Sequence, residues 1–170
     1  MKRLALFLAT LPAGACGSDH MSDAGAMETY YARFDDTSAR AESAMMRHHD
    51  EVRVAPDLAT VLRLEKAHLL EMRTDMGRVD AAAGDLGGCM MDIMGSRHEM
   101  GDLDEASGDA WREIDHHNRV MQAAGDLGAA RAEEERHRDE MGGAMGRMRT
   151  HRVGMESAAG GDMMCSSSTR

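Results

Sequence analysis

The sequence predicts an all-α protein, an antiparallel four-helix bundle built from two tandem helical hairpins, and three observations carry that expectation. Strand formers are scarce: among 170 residues only 3% are aromatic, while there are 18 methionines and 18 glycines. Sheets favour β-branched and aromatic residues, so thin, flexible side chains point instead to helices packed closely together. The chain also repeats itself. An offset of 69 positions (134 − 65) lays "EKAHLLEMRTDMGRV" at 65–79 over "EERHRDEMGGAMGRM" at 134–148. Within 48–78, the residues His48, Ala55, Asp57, Leu58, Glu65, His68, Glu71, Met72, Met76, Gly77 and Arg78 all recur at 117–147. That is far above chance, even for a biased composition, and marks a duplication. Finally, each copy carries a helix stop between two stretches of helical periodicity.

The elements follow in order. From Ala24 to about Arg53 there is no proline, and apolar residues recur at helical spacing. In "VAPDL" Pro56 ends that helix, because the residue before proline avoids the α region, and Asp57 is a suitable N-cap for the next. The second helix carries a stripe of Leu58, Val61 or Leu62, Glu65, His68 or Leu69, Met72, Met76, Val79, Ala83 and Leu86. Steps of three and four place these on one face. The glycine-rich "AAAGDLGG" is expected to end it, with Gly84–Gly101 forming an irregular or short-helical lead-in. Asp102 to Glu105 reads as a capping box that restarts the third helix. In "AAGDL" Gly125 takes the place of Pro56, and Asp126 is the cap. The fourth helix offers Leu127, Ala130, Glu134, His137, Met141, Met145, Met148 and Met155. Between Arg131 and Glu140 it is so poor in apolar residues that its inward stripe has to pass through Glu134 and His137. The bundle is thus expected over 24–158, as hairpins at about 24–86 and 90–158, with a disordered tail at 159–170. A chain of this length suffices for one domain.

Residues 1–15 read as a signal peptide. Lys2 and Arg3 form a charged start, "LALFLATLP" a short apolar run, and "AGAC" a small-residue cleavage site ending at Cys16. The apolar run is too short to span a bilayer as a helix. A cysteine directly after Ala13-Gly14-Ala15 resembles the lipobox of bacterial lipoproteins. That resemblance implies lipidation of Cys16, a tether over 16–23, and a membrane partner through the lipid anchor. The protein would then sit in the cell envelope, at the periplasm or outer membrane. Ala13 departs from the common leucine of that motif, so plain export with cleavage at the same place stands beside it. Export permits disulfides, and Cys89 and Cys165 remain as a pair. They are expected either to be joined or to be free or metal-binding thiols. The net charge of −10 argues against nucleic acid as a partner and suits a cationic ligand.

The repeated polar residues carry the functional expectation. Glu65-x-x-His68 and Glu134-x-x-His137 each place carboxylate and imidazole one turn apart, roughly 5–6 Å between Cβ atoms. These motifs resemble the Glu-x-x-His pairs on two helices of ferritin-like di-metal proteins, and the resemblance implies a metal site inside a four-helix bundle. On the other two helices that family supplies one glutamate each. Here the repeated residues are His48 and His117, which fall one turn from the level of Glu65 and Glu134. A pseudo-twofold would gather four imidazoles and two carboxylates in one slab, a set that suits copper or zinc better than iron. One turn further lie Met72, Met76, Met141 and Met145, whose thioethers are soft ligands for Cu(I) and equally good core filler. His49 and His116 break the repeat and are expected to face outward, as are Glu71 and Glu140. Met90, Met94, His98, His151 and Met155 form similar weaker stripes. While Leu62, Leu69 and Leu70 became Arg131, Arg138 and Asp139, the Glu, His and Met positions persisted. Packing alone should have kept the leucines.

Three function classes follow. The first is a metal-binding envelope bundle, copper favoured, for buffering or resistance. The second is a structural or interaction bundle without metal, or one that scavenges oxidants through its methionines. The third is a di-metal or haem redox protein. The haem case is weakened by the few aromatics and the lack of a C-x-x-C-H motif. No catalytic signature of the Ser-His-Asp, P-loop or Rossmann kind is present, so no enzyme activity is expected.

Overall fold

The computed structural model describes residues 23–94 and 97–166, with side chains over 27–87 and 100–158. Four helices follow one another: α1 (Asp23–Val54), α2 (Leu58–Met94), α3 (Arg97–Ala123) and α4 (Leu127–Ser166). Both hairpin breaks form as the caps require. Asp57 Oδ1 accepts the Thr60 amide at 2.7 Å, and Asp126 Oδ1 accepts the Ala129 amide at 2.8 Å. Each satisfies an amide that a helix N-terminus would otherwise leave without a partner. The ends of α1 and α3 tighten into i→i+3 bonds, Ala55 to Val52 and Ala124 to Met121.

Within each hairpin the helices pack along their length, α1 on α2 and α3 on α4; α2 on α3 and α1 on α4 close the ring, and α2 approaches α4 across the diagonal. Ion pairs lace the helices at the surface. Arg33 meets Asp85 at 2.5 Å, Arg73 meets Asp115 at 2.8 Å, and Arg152 meets Asp35 at 2.7 Å. A more sheltered link joins α2 to α3, where Asp80 accepts from Trp111 Nε1 at 2.6 Å and from Ser107.

The interior is divided in two. A long apolar core runs away from the hairpin breaks, built on Phe34, Met72, Met76, Val79, Leu86, Leu103, Ile114, Met141, Met145, Met148 and Met155. A small cluster of Val52, Ala55, Val61, Met121 and Ala130, with Leu58, Leu64, Ala124 and Leu127 around it, closes the other end beneath the breaks. The expected stripes of α2 and α4 do face inward, with Leu62 exposed and Val61 buried in its place. Between the two apolar layers lies a slab of buried polar residues.

Several expectations about the glycine-rich stretches are corrected. Helix α2 does not end at "AAAGDLGG" but continues to Met94, and α3 begins at Arg97, so the Asp102–Glu105 segment is helix interior and not a cap. The reason is packing. Ala82, Ala83 and Leu86 on α2 and Leu103 and Ala106 on α3 are all buried. Each glycine costs about 1 kcal/mol relative to alanine in a helix, an amount that this burial offsets. Likewise α4 continues to Ser166 in place of a tail starting at 159, since extending an existing helix needs no new nucleus. Cys89 and Cys165 therefore lie within helices; their side chains, like those of Met90, Met94 and His98, fall outside the described residues. Cys16, the expected signal peptide and the expected tether as far as residue 22 also lie outside them, while Asp23, its last residue, opens α1. Among the described residues no helix is long and apolar enough to cross a membrane.

Candidate metal centre

Helix geometry brings the polar slab to one level. His48 lies six residues before the end of α1, and Glu65 seven residues after the start of α2. At 1.5 Å per residue both stand roughly 9–11 Å from the break. The duplication repeats the construction with His117 on α3 and Glu134 on α4. Each of the four helices thus delivers one donor to a common point.

Those four donors converge. One ligand atom from each of His48, Glu65, His117 and Glu134 lies within 4.8 Å of the other three, and all four residues are buried. Glu65 Oε2 sits 3.1 Å from the Nε2 atoms of both His48 and His117. Glu134 Oε2 sits 3.5 Å from the same two nitrogens. Ligands held about 2.0–2.2 Å from one ion at near-tetrahedral angles stand roughly 3.3–3.6 Å apart. The two Glu134 separations fall in that range and the two Glu65 separations lie just below it, at hydrogen-bond length, so the group could hold a metal ion.

Behind each of these two histidines lies a second imidazole. His68 stacks on His48 with ring centroids 3.8 Å apart, and His137 on His117 at 3.9 Å. Of the ten residues expected from the sequence, the structure therefore gathers His48, Glu65, His117 and Glu134 at one point. It places His68 and His137 as a second layer. Met72, Met76, Met141 and Met145 lie in the apolar core that borders the slab. Glu71 and Glu140 are exposed as expected, and so is His116. His49 is not: it is buried, with side-chain exposure of 8%, which corrects the outward placement. Its Nδ1 turns toward Glu134 and its Nε2 toward Glu135.

Three further residues were not singled out by the repeat, because only the second copy has them. Glu133 Oε1 is 3.1 Å from His117 Nδ1, and Glu113 Oε1 is 2.8 Å from His137 Nδ1. Arg136 ties both carboxylates together, at 2.6 Å to Glu133 and 2.8 and 2.9 Å to Glu113. The first copy carries Leu64, Ala44 and Ala67 at the equivalent positions. On His117 the carboxylate at Nδ1 fixes the tautomer with Nε2 facing Glu65 and Glu134, the kind of outer support that metal-bound histidines usually have. A signal did exist: Glu133 directly precedes the Glu134-x-x-His137 motif and Arg136 lies within it. Reading it requires the helix rotation.

The slab is electrostatically expensive. Burial acts to raise the Glu65 pKa, but hydrogen bonds with His117 and His48 outweigh it and hold the carboxyl well below the usual range. Glu134 is pushed up by burial, which the charges of His48 and His117 only partly oppose. Burial disfavours protonated His117, yet its hydrogen bond to Glu65 and the charges of Glu65 and Glu134 prevail and raise it. Burial, and then the neighbouring His48, lowers His68 to about 2. Among the described residues, neither ring nitrogen of His68 has a hydrogen-bond partner, nor have His137 Nε2, Glu65 Oε1 or either oxygen of Glu134. Buried polar atoms normally find partners, and each one left without costs about 1–3 kcal/mol. Two buried carboxylates among imidazoles form a donor set that could hold a cation.

No protein-family model, no curated protein and no solved structure matches the chain.

Proposed function

We propose that the protein is an exported metal-binding bundle, lipid-anchored through Cys16, that holds one divalent transition ion among His48, Glu65, His117 and Glu134. Copper(II) is the favoured ion and zinc(II) the runner-up. The observation that carries the reading is the convergence of four buried donors, one from each helix, at ligand-to-ligand spacing. Two imidazoles with two carboxylates suit Cu(II), which stands at the top of the divalent affinity order, and equally suit zinc, whose preferred geometry is tetrahedral. The protein fills four coordination positions by itself and seals them between apolar layers. Closed sites of that kind retain an ion, whereas catalytic sites keep a position open. This supports buffering or resistance in the envelope over turnover.

The test is titration of the full chain with Cu(II) and with Zn(II), alongside elemental analysis of the protein purified from its native envelope. The expected result is one tightly held ion, a higher melting temperature on loading, and loss of both in His48→Ala with His117→Ala. A wild-type protein that takes up no ion and melts unchanged would return it to a metal-free structural bundle.

A further inference from the structure

The four ligands are enclosed, so an ion must reach them by some route, and the two halves of the duplication differ in what they offer. On the α1–α4 side a cavity of about 40 Å³ is lined by His49, Val52, Arg53, Arg131, Glu134 and Glu135. This is room for one or two waters or a small ion. It lies between a buried ligand, Glu134, and an exposed carboxylate, Glu135, whose side chain is 52% exposed. His49 stands between the two glutamates. Its Nδ1 is 3.8 Å from Glu134 Oε1, and its Nε2 is 3.6 Å from Glu135 Oε1. Both separations exceed a hydrogen bond and fall near the spacing of two ligands sharing one ion. His49 Nδ1 and Glu134 Oε1 are buried and without a hydrogen-bond partner among the described residues. The outer nitrogen is covered instead by a cation: Arg138 Nη1 lies 3.1 Å from His49 Nε2, and the same guanidinium pairs with Glu135 and Asp139, each at 2.9 Å.

We propose that His49, with Glu135 outside and Glu134 inside, is a transient metal-binding step on the access route to the centre, and that Arg138 gates it. An ion is first held by Glu135 and His49 Nε2 once Arg138 releases both and keeps only its existing pairing with Asp139. It then passes to His49 Nδ1 and Glu134 Oε1, and from there to the four ligands. No bond beyond metal coordination forms or breaks. The repeat supports the specificity of this route. At the equivalent positions of the other half stand Asn118, Lys66 and Leu69, which supply neither the imidazole nor the outer carboxylate. The duplication kept one histidine and one glutamate of the centre in each half and built a route on one.

The inference rests on the proposed centre, and its test separates the two. Stopped-flow loading of the full apo chain with Cu(II), and release to excess EDTA, are measured for wild type, His49→Asn, His49→Leu and Arg138→Gln. His49→Asn installs the residue of the other half. Both His49 variants are expected to load and release roughly tenfold more slowly with unchanged stoichiometry and equilibrium affinity, since a blocked route changes both rates together. Arg138→Gln is expected to speed both several-fold. Loading at the wild-type rate in the His49 variants would overturn the route and leave the centre standing. So would a loss of affinity at unchanged association rate, which would make His49 a ligand of the centre. Should the His49 variants lose helicity, the Arg138→Gln arm decides: unchanged rates there would overturn the gate and the route together. A wild-type chain that binds no Cu(II) would instead remove the centre itself.

Discussion

His117 Nδ1 lies 3.1 Å from Glu133 Oε1, and both side chains are buried. The contact holds one proton on the far side of the ring and directs Nε2 to the point where Glu65 and Glu134 meet. Removing it should free the ring to rotate. Glu133→Ala is expected to weaken ion binding roughly 10–100-fold, the usual effect of losing outer support for a metal-bound histidine. Glu133→Gln, which keeps an acceptor oxygen, should recover part of the loss. Competition titration against a chelator of known affinity measures both; equal affinity in all three proteins would show that the contact has no part in binding.

Proton release should accompany loading. Without an ion, His117 can donate from Nδ1 to Glu133 and from Nε2 to Glu65, and this raises its pKa above the ordinary histidine value of 6.5. A bound ion needs the Nε2 lone pair, so that proton must leave. Affinity is therefore expected to keep rising with pH above 6.5 until His117 is fully deprotonated. Calorimetry in buffers of different ionisation enthalpy should report the release. A pH-independent affinity across that range would contradict it.

The second-layer histidine makes a stability prediction. His68 is lowered to about 2 by burial and by His48, from an ordinary value of 6.5. Between those values the unfolded chain binds the proton and the folded chain does not, so this contribution to stability falls as pH drops below 6.5. Glu113 acts in the same direction lower down. Burial opposes its ionisation, but hydrogen bonds with His137 and Arg136 hold it at about 2 against 4.5, so its contribution is lost from about pH 4.5 downward. Replacing His68 with leucine removes two unpartnered buried nitrogens. The metal-free protein should gain about 1–3 kcal/mol and lose much of its acid sensitivity between pH 6.5 and 4.5. Melting curves against pH check this. A less stable His68→Leu protein would mean that the imidazole has bonding of its own.

The methionines allow a separation of core from ligand. Met72, Met76, Met141 and Met145 are buried within the apolar core, and Met-to-Leu exchanges conserve volume, costing under about 1.5 kcal/mol each. The four single Leu variants should keep Cu(II) stoichiometry and affinity while changing melting temperature only slightly. A variant that folds normally but loses the ion would place that thioether among the ligands.

The amino-acid sequence by itself determined the plan of the molecule. Pro56, Gly125 and the caps Asp57 and Asp126 act within a few residues, and the repeat spacing of 69 makes the halves equivalent. Helical periodicity then commits His48, Glu65, His117 and Glu134 to inward faces. Local chemistry suffices for all of this, because stops, caps and the 3.6-residue period need no knowledge of a neighbouring helix. The same local reasoning misplaced the ends of α2, α3 and α4. Glycine-rich stretches read as breaks until the burial of Leu86 and Leu103 against other helices is counted. Tertiary structure alone decided which polar residues meet. Glu113 reaches His137 and Glu133 reaches His117 only once α3 and α4 have a defined rotation about each other. His49, outside the repeat and next to a ligand, turns inward because α4 brings Glu134, Glu135 and Arg138 against it. Distances across helices depend on rotation and crossing, which are properties of the packed assembly and are not written in the spacing along any one strand of sequence.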